Sequence, residues 1–336
     1  MSTEAQVKPA SRKKSRLPMV IALAVPFLCS WRLSEFGNTV VVQMAIGMLI
    51  ASGLHALVHW AGQISLAQVA LMGVGAFVTA RANADFGVPL PLAVVFGMAG
   101  AVVASLAIGI PALRIRGLAL AIITLAFAFA ASRWLFLQPW LVPQVSGIPL
   151  RDGRFFGFDI TQSRQLVIPI GLITVAVVAI THHLGQSAFG RSLRLVAHDE
   201  EVAAATGISV ASHKLLAFSY AAACAGLAGA FMVISIGRVG PQAFPVGKAI
   251  LYLSAVLLGG PGPIFQSLQA AAGFSAFPVW FRGLGHYIDV IGPLAILAVV
   301  IASPAGLNGL HARLHHALTR RRHAVPAANV SGGTSS

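Results

Sequence analysis

Apolar stretches about as long as a membrane is thick, parted by short Gly- and Pro-punctuated turns, recur along nearly the whole chain. A hydrocarbon core of about 30 Å is crossed by about 20 apolar helical residues, so such runs read as membrane-spanning helices. Only 10% of the residues are charged against 57% hydrophobic, and the mean hydropathy is +0.82. A soluble domain carries roughly a quarter charged residues, and that class is excluded. The runs are too evenly spread over 336 residues to be separate water-soluble cores, which leaves one membrane domain with two tails.

Ten candidate segments emerge: 17 to 31, 38 to 60, 62 to 80, 88 to 112, 117 to 136, 165 to 183, 213 to 237, 248 to 260, 264 to 281 and 288 to 304. The first and eighth are short, and Gly259-Gly260-Pro261-Gly262-Pro263 reads equally as a turn or a re-entrant break. The expected fold is therefore an all-α polytopic bundle of 8 to 10 transmembrane helices occupying 17–307. Residues 1–16 form a basic tail, and 308–336 a second basic tail that is expected to be disordered. Arg12, Lys13, Lys14 and Arg16 precede the first apolar stretch as in a secretory signal, but no small-x-small cleavage site closes it. An uncleaved first span is expected.

The net charge of +14, from 23 basic against 9 acidic residues, sits in the tails and the short loops. Anionic lipid headgroups, and not nucleic acid, are the partner this implies. With both termini in the cytoplasm, Arg114, Arg116, Arg191, Arg194, Lys214 and the basic residues of both tails fall on the cytoplasmic side, as the positive-inside tendency requires. The longest outer loop is then 137 to 164, with Phe155, Phe156 and Phe158 suited to the membrane interface. Cys29 and Cys224 lie in apolar runs and predict no disulfide framework.

The chemistry available at membrane depth is narrow. All nine acids fall in tails, loops or span ends, so the chain lacks the buried acidic group by which a proton- or sodium-coupled carrier takes up charge. Arg133, near the end of a span, is expected to snorkel to the headgroups. No nucleophile-base pair or metal set shares a depth, which disfavours a membrane enzyme. Among the uncharged polar residues, Gln63, Ser65 and Gln68 fall within two helical turns and, with Thr124, suit a pathway lining or a helix interface. Gly73 and Gly75, like Gly226 and Gly229, allow close helix approach. His55 with His59, and His311 with His315, have zinc-ligand spacing, but no acid or cysteine completes the first pair and the second sits in an Arg-rich tail. The run Gly185 to Ser192 imitates a phosphate-binding loop with Arg191 in place of its lysine. It follows a membrane helix instead of a strand, so no nucleotide or other cofactor is expected on this chain.

The segment 184 to 212 is long enough to hold a helix of its own between two spans. Asp199, Glu200 and Glu201 cluster where the positive end of a helix dipole favours anions, Val202-Ala203-Ala204-Ala205 propagates the helix, and Gly207 ends it. Two turns do not hold in water on propensity, so packing must support them.

The run Gly190 to Ile208, followed by Lys214-Leu215-Leu216-Ala217-Phe218, resembles the coupling loop of the LivM-type branched-chain amino acid permeases of ABC importers, with Glu201, Ala203, Ala204 and Gly207 on its E-x-A-A-x-x-G stretch. Gly62, Ser65, Leu66, Gly73, Gly75 and Ala76 match the family's G-x-x-S-L-G-x-x-x-x-x-G-x-G-A segment. Leu113-Arg114-Ile115-Arg116-Gly117 with Thr124-Leu125-Ala126-Phe127 resembles its L-R-x-R-G and T-L-A-F stretch. Ala67 replaces a usual Gly, Gln266, Ser267 and Gln269 replace Gly, Pro and Gly, and Ala305 replaces Arg. The resemblance implies a subunit of the bacterial inner membrane that pairs with a second, LivH-like permease. It implies delivery of branched-chain amino acids or a related small polar solute by an extracytoplasmic binding protein. It further implies two ATPase subunits, which hold the ATP and Mg, docked at Asp199, Glu200, Glu201, Ala203, Ala204 and Gly207. The competing reading is a passive channel or facilitator for a small solute such as urea or an amide.

Overall fold

The computed structural model describes residues 34–112, 117–142, 147–151, 153–160 and 163–259, with single positions from 268 to 275. The expected spans at 17 to 31, 264 to 281 and 288 to 304, the tails and the 311/315 histidine pair fall wholly or almost wholly outside them. Within them the chain is a helical bundle: α1 (Glu35–His55), which runs on as a π-helical turn over Ala56–Trp60, α2 (Gln68–Ala84), α3 (Leu90–Ala112), α4 (Leu118–Arg133), α5 (Ser163–Gln186), α6 (Ala188–His198), α7 (Glu200–Ala205), α8 (Val210–Ile236) and α9 (Gly247–Gly259). Among the described residues, six helical stretches are long and apolar enough to cross a membrane: Glu35–Trp60, Leu90–Ile110, Ala119–Leu137, Arg164–Gln186, Val210–Ile236 and Pro241–Gly259. The protein is a multi-pass membrane protein of the all-α class.

α8 is the central helix. It packs along α2 and α3 on one side and α1 on the other, and α1 in turn packs on α5. Small residues make this possible, because helices in lipid gain by close backbone approach and not by hydrophobic exclusion. A Cβ on Gly75 of α2 would collide with the Gly226 backbone of α8. One on Gly226 would lie 2.7 Å from the Ala101 Cβ of α3, and one on Gly97 of α3 would lie 2.6 Å from the Gly75 carbonyl oxygen. Gly229 meets the backbone of Met72 in the same way. Of the glycines that the sequence marks for close approach, Gly75, Gly226 and Gly229 form the three-helix contact, while Gly73 lies against the Phe136 ring.

The connections fall at two ends of the bundle. At one end Arg81 donates to the Trp140 carbonyl (2.9 Å), the Arg151 backbone N–H donates to Asn83 Oδ1 (2.8 Å), and β1 (Ile148–Pro149) pairs antiparallel with β4 (Arg238–Val239). A second ribbon, β2 (Arg154–Phe155) with β3 (Phe158–Asp159), lies in the same long loop. Phe155 is not an interfacial residue as its neighbours suggested. It is 1% exposed and sits edge-on to Phe231 of α8, because the ribbon alternates its side chains and turns Phe155 inward while Phe156 stays out. At the other end α6 and α7 lie under the end of α1 and the start of α8.

The expected helix from 62 to 80 needs correction. Trp60 ends the π turn, Ala61–Ala67 is non-helical, and α2 begins only at Gln68. Gly62 has φ +64°, which breaks the helix, and the Leu66 N–H donates to Thr124 Oγ1 of α4 (3.0 Å) instead of to a carbonyl of its own chain turn. Gln63 and Ser65 therefore lie on a non-helical segment, not within two helical turns of Gln68.

Candidate functional site

The loop helix α7 is built almost wholly from local signals. Asp199 is its N-cap: Oδ1 accepts from the backbone N–H of Glu201 (2.9 Å) and Val202 (3.1 Å), and Glu200 and Glu201 occupy the first turn. The other end closes as a Schellman motif. Gly207, at φ +83°, donates to the Ala204 carbonyl (2.9 Å), and Ile208 donates to the Ala203 carbonyl (3.1 Å). Asp199, Glu200, Glu201, Ala203, Ala204 and Gly207 are thus one compact unit. Ala203 is fully buried, while Glu201, Val202, Ala204, Ala205 and Gly207 face outward.

Two turns are held by an anchor that the sequence reading missed. Lys214, one turn into α8, is only 5% exposed, and its Nζ donates to Glu200 Oε1 at 2.6 Å. Its position as a lysine in the first turns of an apolar helix, 14 residues after Glu200 of the acidic cluster, was the available signal. An ammonium buried in this way requires a paired anion, so α7 is tied to the central helix of the bundle.

The preceding helix α6 was also unexpected. Ser187 caps it, with Oγ accepting from the Gly190 N–H (3.4 Å), and Gly190, Leu193 and Val196 form its buried face. Leu193 packs in a small apolar cluster with Leu57, Trp60, Ala217 and Phe218, which joins the end of α1 to the start of α8. Gly185 lies against the Trp60 ring, and Phe189 stacks on His213 with centroids 5.6 Å apart. Arg191 and Arg194 donate to the Gln186 and Gly185 carbonyls, each at 2.8 Å, and so cap the C-terminus of α5. The run that imitates a phosphate-binding loop is a helix end capped by its own arginines.

The other predicted positions separate into two groups. Gln63, Ser65 and Gln68 are buried at the α1–α2 break, next to Thr124, whose Oγ1 accepts from Leu66 and donates to the Ala121 carbonyl (3.0 Å). Gly73 faces the Phe136 ring, and Gly75 faces α8, so these two serve packing. The break touches the loop directly, since a Cβ on Gly62 would lie 3.1 Å from the Ala197 Cβ of α6. One continuous set of contacts therefore runs from α7 and α6 to the break and to the central helix. The His55 and His59 rings lie tilted against each other with centroids 4.7 Å apart, His59 Nε2 lies 3.3 Å from the Val256 carbonyl oxygen, and no group of three metal-ligating side chains occurs among the described residues.

At the opposite end, Arg133 shares a half-open cleft of about 570 Å³ with Leu125, Phe129, Gln242, Phe244 and Ile250. Its position in the last turn of α4 fits the expected placement near a span end.

A family model described as branched-chain amino acid transport system, permease component, matches residues 38–303. The high-affinity branched-chain amino acid transport system permease protein LivM of Salmonella typhimurium strain LT2 is 27% identical over 318 residues, covering 86% of this chain and 73% of that protein. LivM of Escherichia coli strain K12 is 26% identical over the same coverage. No solved structure matches the chain significantly. With the family model spanning the described bundle from α1 to α9 and the loop helix in place within it, the chain belongs to the permease family of branched-chain amino acid transport.

Proposed function

We propose that this chain is one of two membrane-spanning subunits of an ATP-driven importer of branched-chain amino acids or a related small polar solute in the bacterial inner membrane. Both termini are cytoplasmic in this reading. A binding protein delivers solute from outside, a second LivH-like permease completes the pathway, and two ATPase subunits hold ATP and Mg at the cytoplasmic face; this chain binds neither. The observation that carries the reading is α7, a capped helix that turns Val202, Ala204 and Ala205 outward while Glu200 is ion-paired to the buried Lys214 at the foot of the central helix. Only a rigidly anchored element transmits a push, because a loose helix absorbs it in its own hinge.

In this mechanism α7 sits in a groove of the ATPase through its outward residues Glu201, Val202, Ala204 and Gly207, while Asp199 caps the helix and Ala203 and Glu200 hold it to the bundle. Nucleotide-driven closure moves α7, and the Glu200–Lys214 pair and the Leu193 cluster carry the motion into α8 and the α1–α2 break. Gln63, Ser65, Gln68 and Thr124 lie where the pathway changes shape, while Gly73 and Gly75 keep α2 against its neighbours. The test is purification from the native membrane with partner identification, then leucine uptake and ATP hydrolysis in proteoliposomes. Stoichiometric ATPase and a second permease, with Glu201→Lys abolishing solute-stimulated hydrolysis but not insertion, are the expected results. An ATPase-free homo-oligomer that passes solute would refute the proposal in favour of a facilitator.

A further inference from the structure

Helix α2 begins inside the protein without a cap. Its N-cap residue is Ala67, which offers no side-chain acceptor, and Ala67, Gln68, Val69 and Ala70 are 1%, 1%, 1% and 3% exposed. The first-turn N–H groups of a helix have no intrahelical acceptor, and burying them without one is costly. The same place holds buried side-chain atoms with no hydrogen-bond partner among the described residues: Oε1 and Nε2 of Gln68, and Oε1 of Gln63. A helical side chain leans back toward the N-terminus of its helix, which sets the Gln68 amide beside these backbone donors. Orphaned polar groups of this kind cluster where a protein meets a ligand, because their desolvation cost is recovered only on binding.

The orphans are of two kinds. Gln68 Nε2 is a donor at the N-terminus of α2, which has no side-chain cap, and the positive end of the helix dipole there suits a carboxylate. Gln63 Oε1 and Gln68 Oε1 are acceptors, and they suit an ammonium group. Both side chains are uncharged, so the pair matches a ligand with both charges and no net charge. We infer that the α1–α2 break is the headgroup site of the transported solute, with the α-carboxylate of an amino acid on the N-terminus of α2 and Gln68 Nε2, and its α-ammonium on Gln63 Oε1 and Gln68 Oε1. This inference rests on the amino-acid importer reading above and specifies where this chain holds the solute. Because Gly62 of the same break abuts α6, movement of the loop helices changes the shape of the site, which provides for release.

The test uses the complete transporter in proteoliposomes with Gln68→Met and Gln63→Met, which keep side-chain length and remove the amide. If the amides serve the solute, their removal leaves complex yield and Tm unchanged or raised and lowers leucine delivered per ATP at least tenfold. Wild-type leucine per ATP in both variants overturns the site. Loss of assembled complex or a fall in Tm in both also overturns it, since the amides then serve folding. A wild-type complex that takes up no amino acid at all fails the importer reading itself, and that result is separate from any result on the variants.

Discussion

The tie between α7 and α8 predicts an asymmetry between its two ends. The Lys214 side chain is 6% exposed and the Glu200 side chain 23%, with 2.6 Å between Nζ and Oε1. Glu200→Gln leaves a buried ammonium without its counter-charge, a change that costs about 3–5 kcal/mol in a fully buried pair. The partial exposure of Glu200 and the position of Lys214 near the end of α8 lower this to about 2–3 kcal/mol. Loss of the first-turn charge against the helix dipole adds about 0.5 kcal/mol. Lys214→Met removes the buried charge and leaves a carboxylate that can turn to water, at a cost of about 0–1 kcal/mol. The difference of about 2 kcal/mol corresponds to roughly 30-fold in the opening of α7. Hydrogen exchange of the Ala203, Thr206 and Gly207 amides measures that opening, and it is expected to be about 30-fold faster in Glu200→Gln than in Lys214→Met. Equal exchange, or faster exchange in Lys214→Met, would show that the ion pair does not hold the helix.

Gly229→Ala is expected to abolish folding, because its Cβ would overlap the Met72 backbone, whereas Gly153→Ala, with open space at its Cβ, should express and transport as wild type; detergent-solubilised yield compares them. Gly207→Ala places a Cβ at φ +83° and should loosen the C-terminus of α7 by about 1–2 kcal/mol, read as lower solute-stimulated ATP hydrolysis with normal membrane insertion. Thr124→Val leaves the Leu66 N–H without its acceptor and should cost about 1–3 kcal/mol, seen as a lowered Tm that Thr124→Ser restores.

Class and local structure were legible because they are short-range properties. Apolar run length places a segment in the bilayer whatever it later packs against, and α7 could be placed to within a residue because Asp199, the first-turn acids and Gly207 act on backbone groups at most a few residues away. The α1–α2 break was written as helix, since residues 62 to 80 form one uncharged run. Gly62 hinted at the break, but only the acceptor on Thr124, 58 residues on, satisfies the Leu66 N–H outside a helix. Lys214 could be counted as a positive charge, yet its partner was invisible because a pairing across 14 residues depends on how α7 folds back on α8. Arg191 misled for the same reason, its role being fixed by the free carbonyls of a helix end.

The chain alone therefore determined the solvent, most of the membrane helices and the caps of α7, which depend on neighbours in sequence. Tertiary structure decided which polar groups are paired and which are left over at Gln63 and Gln68, because hydrogen-bond accounting closes only when every helix has been brought against its neighbours.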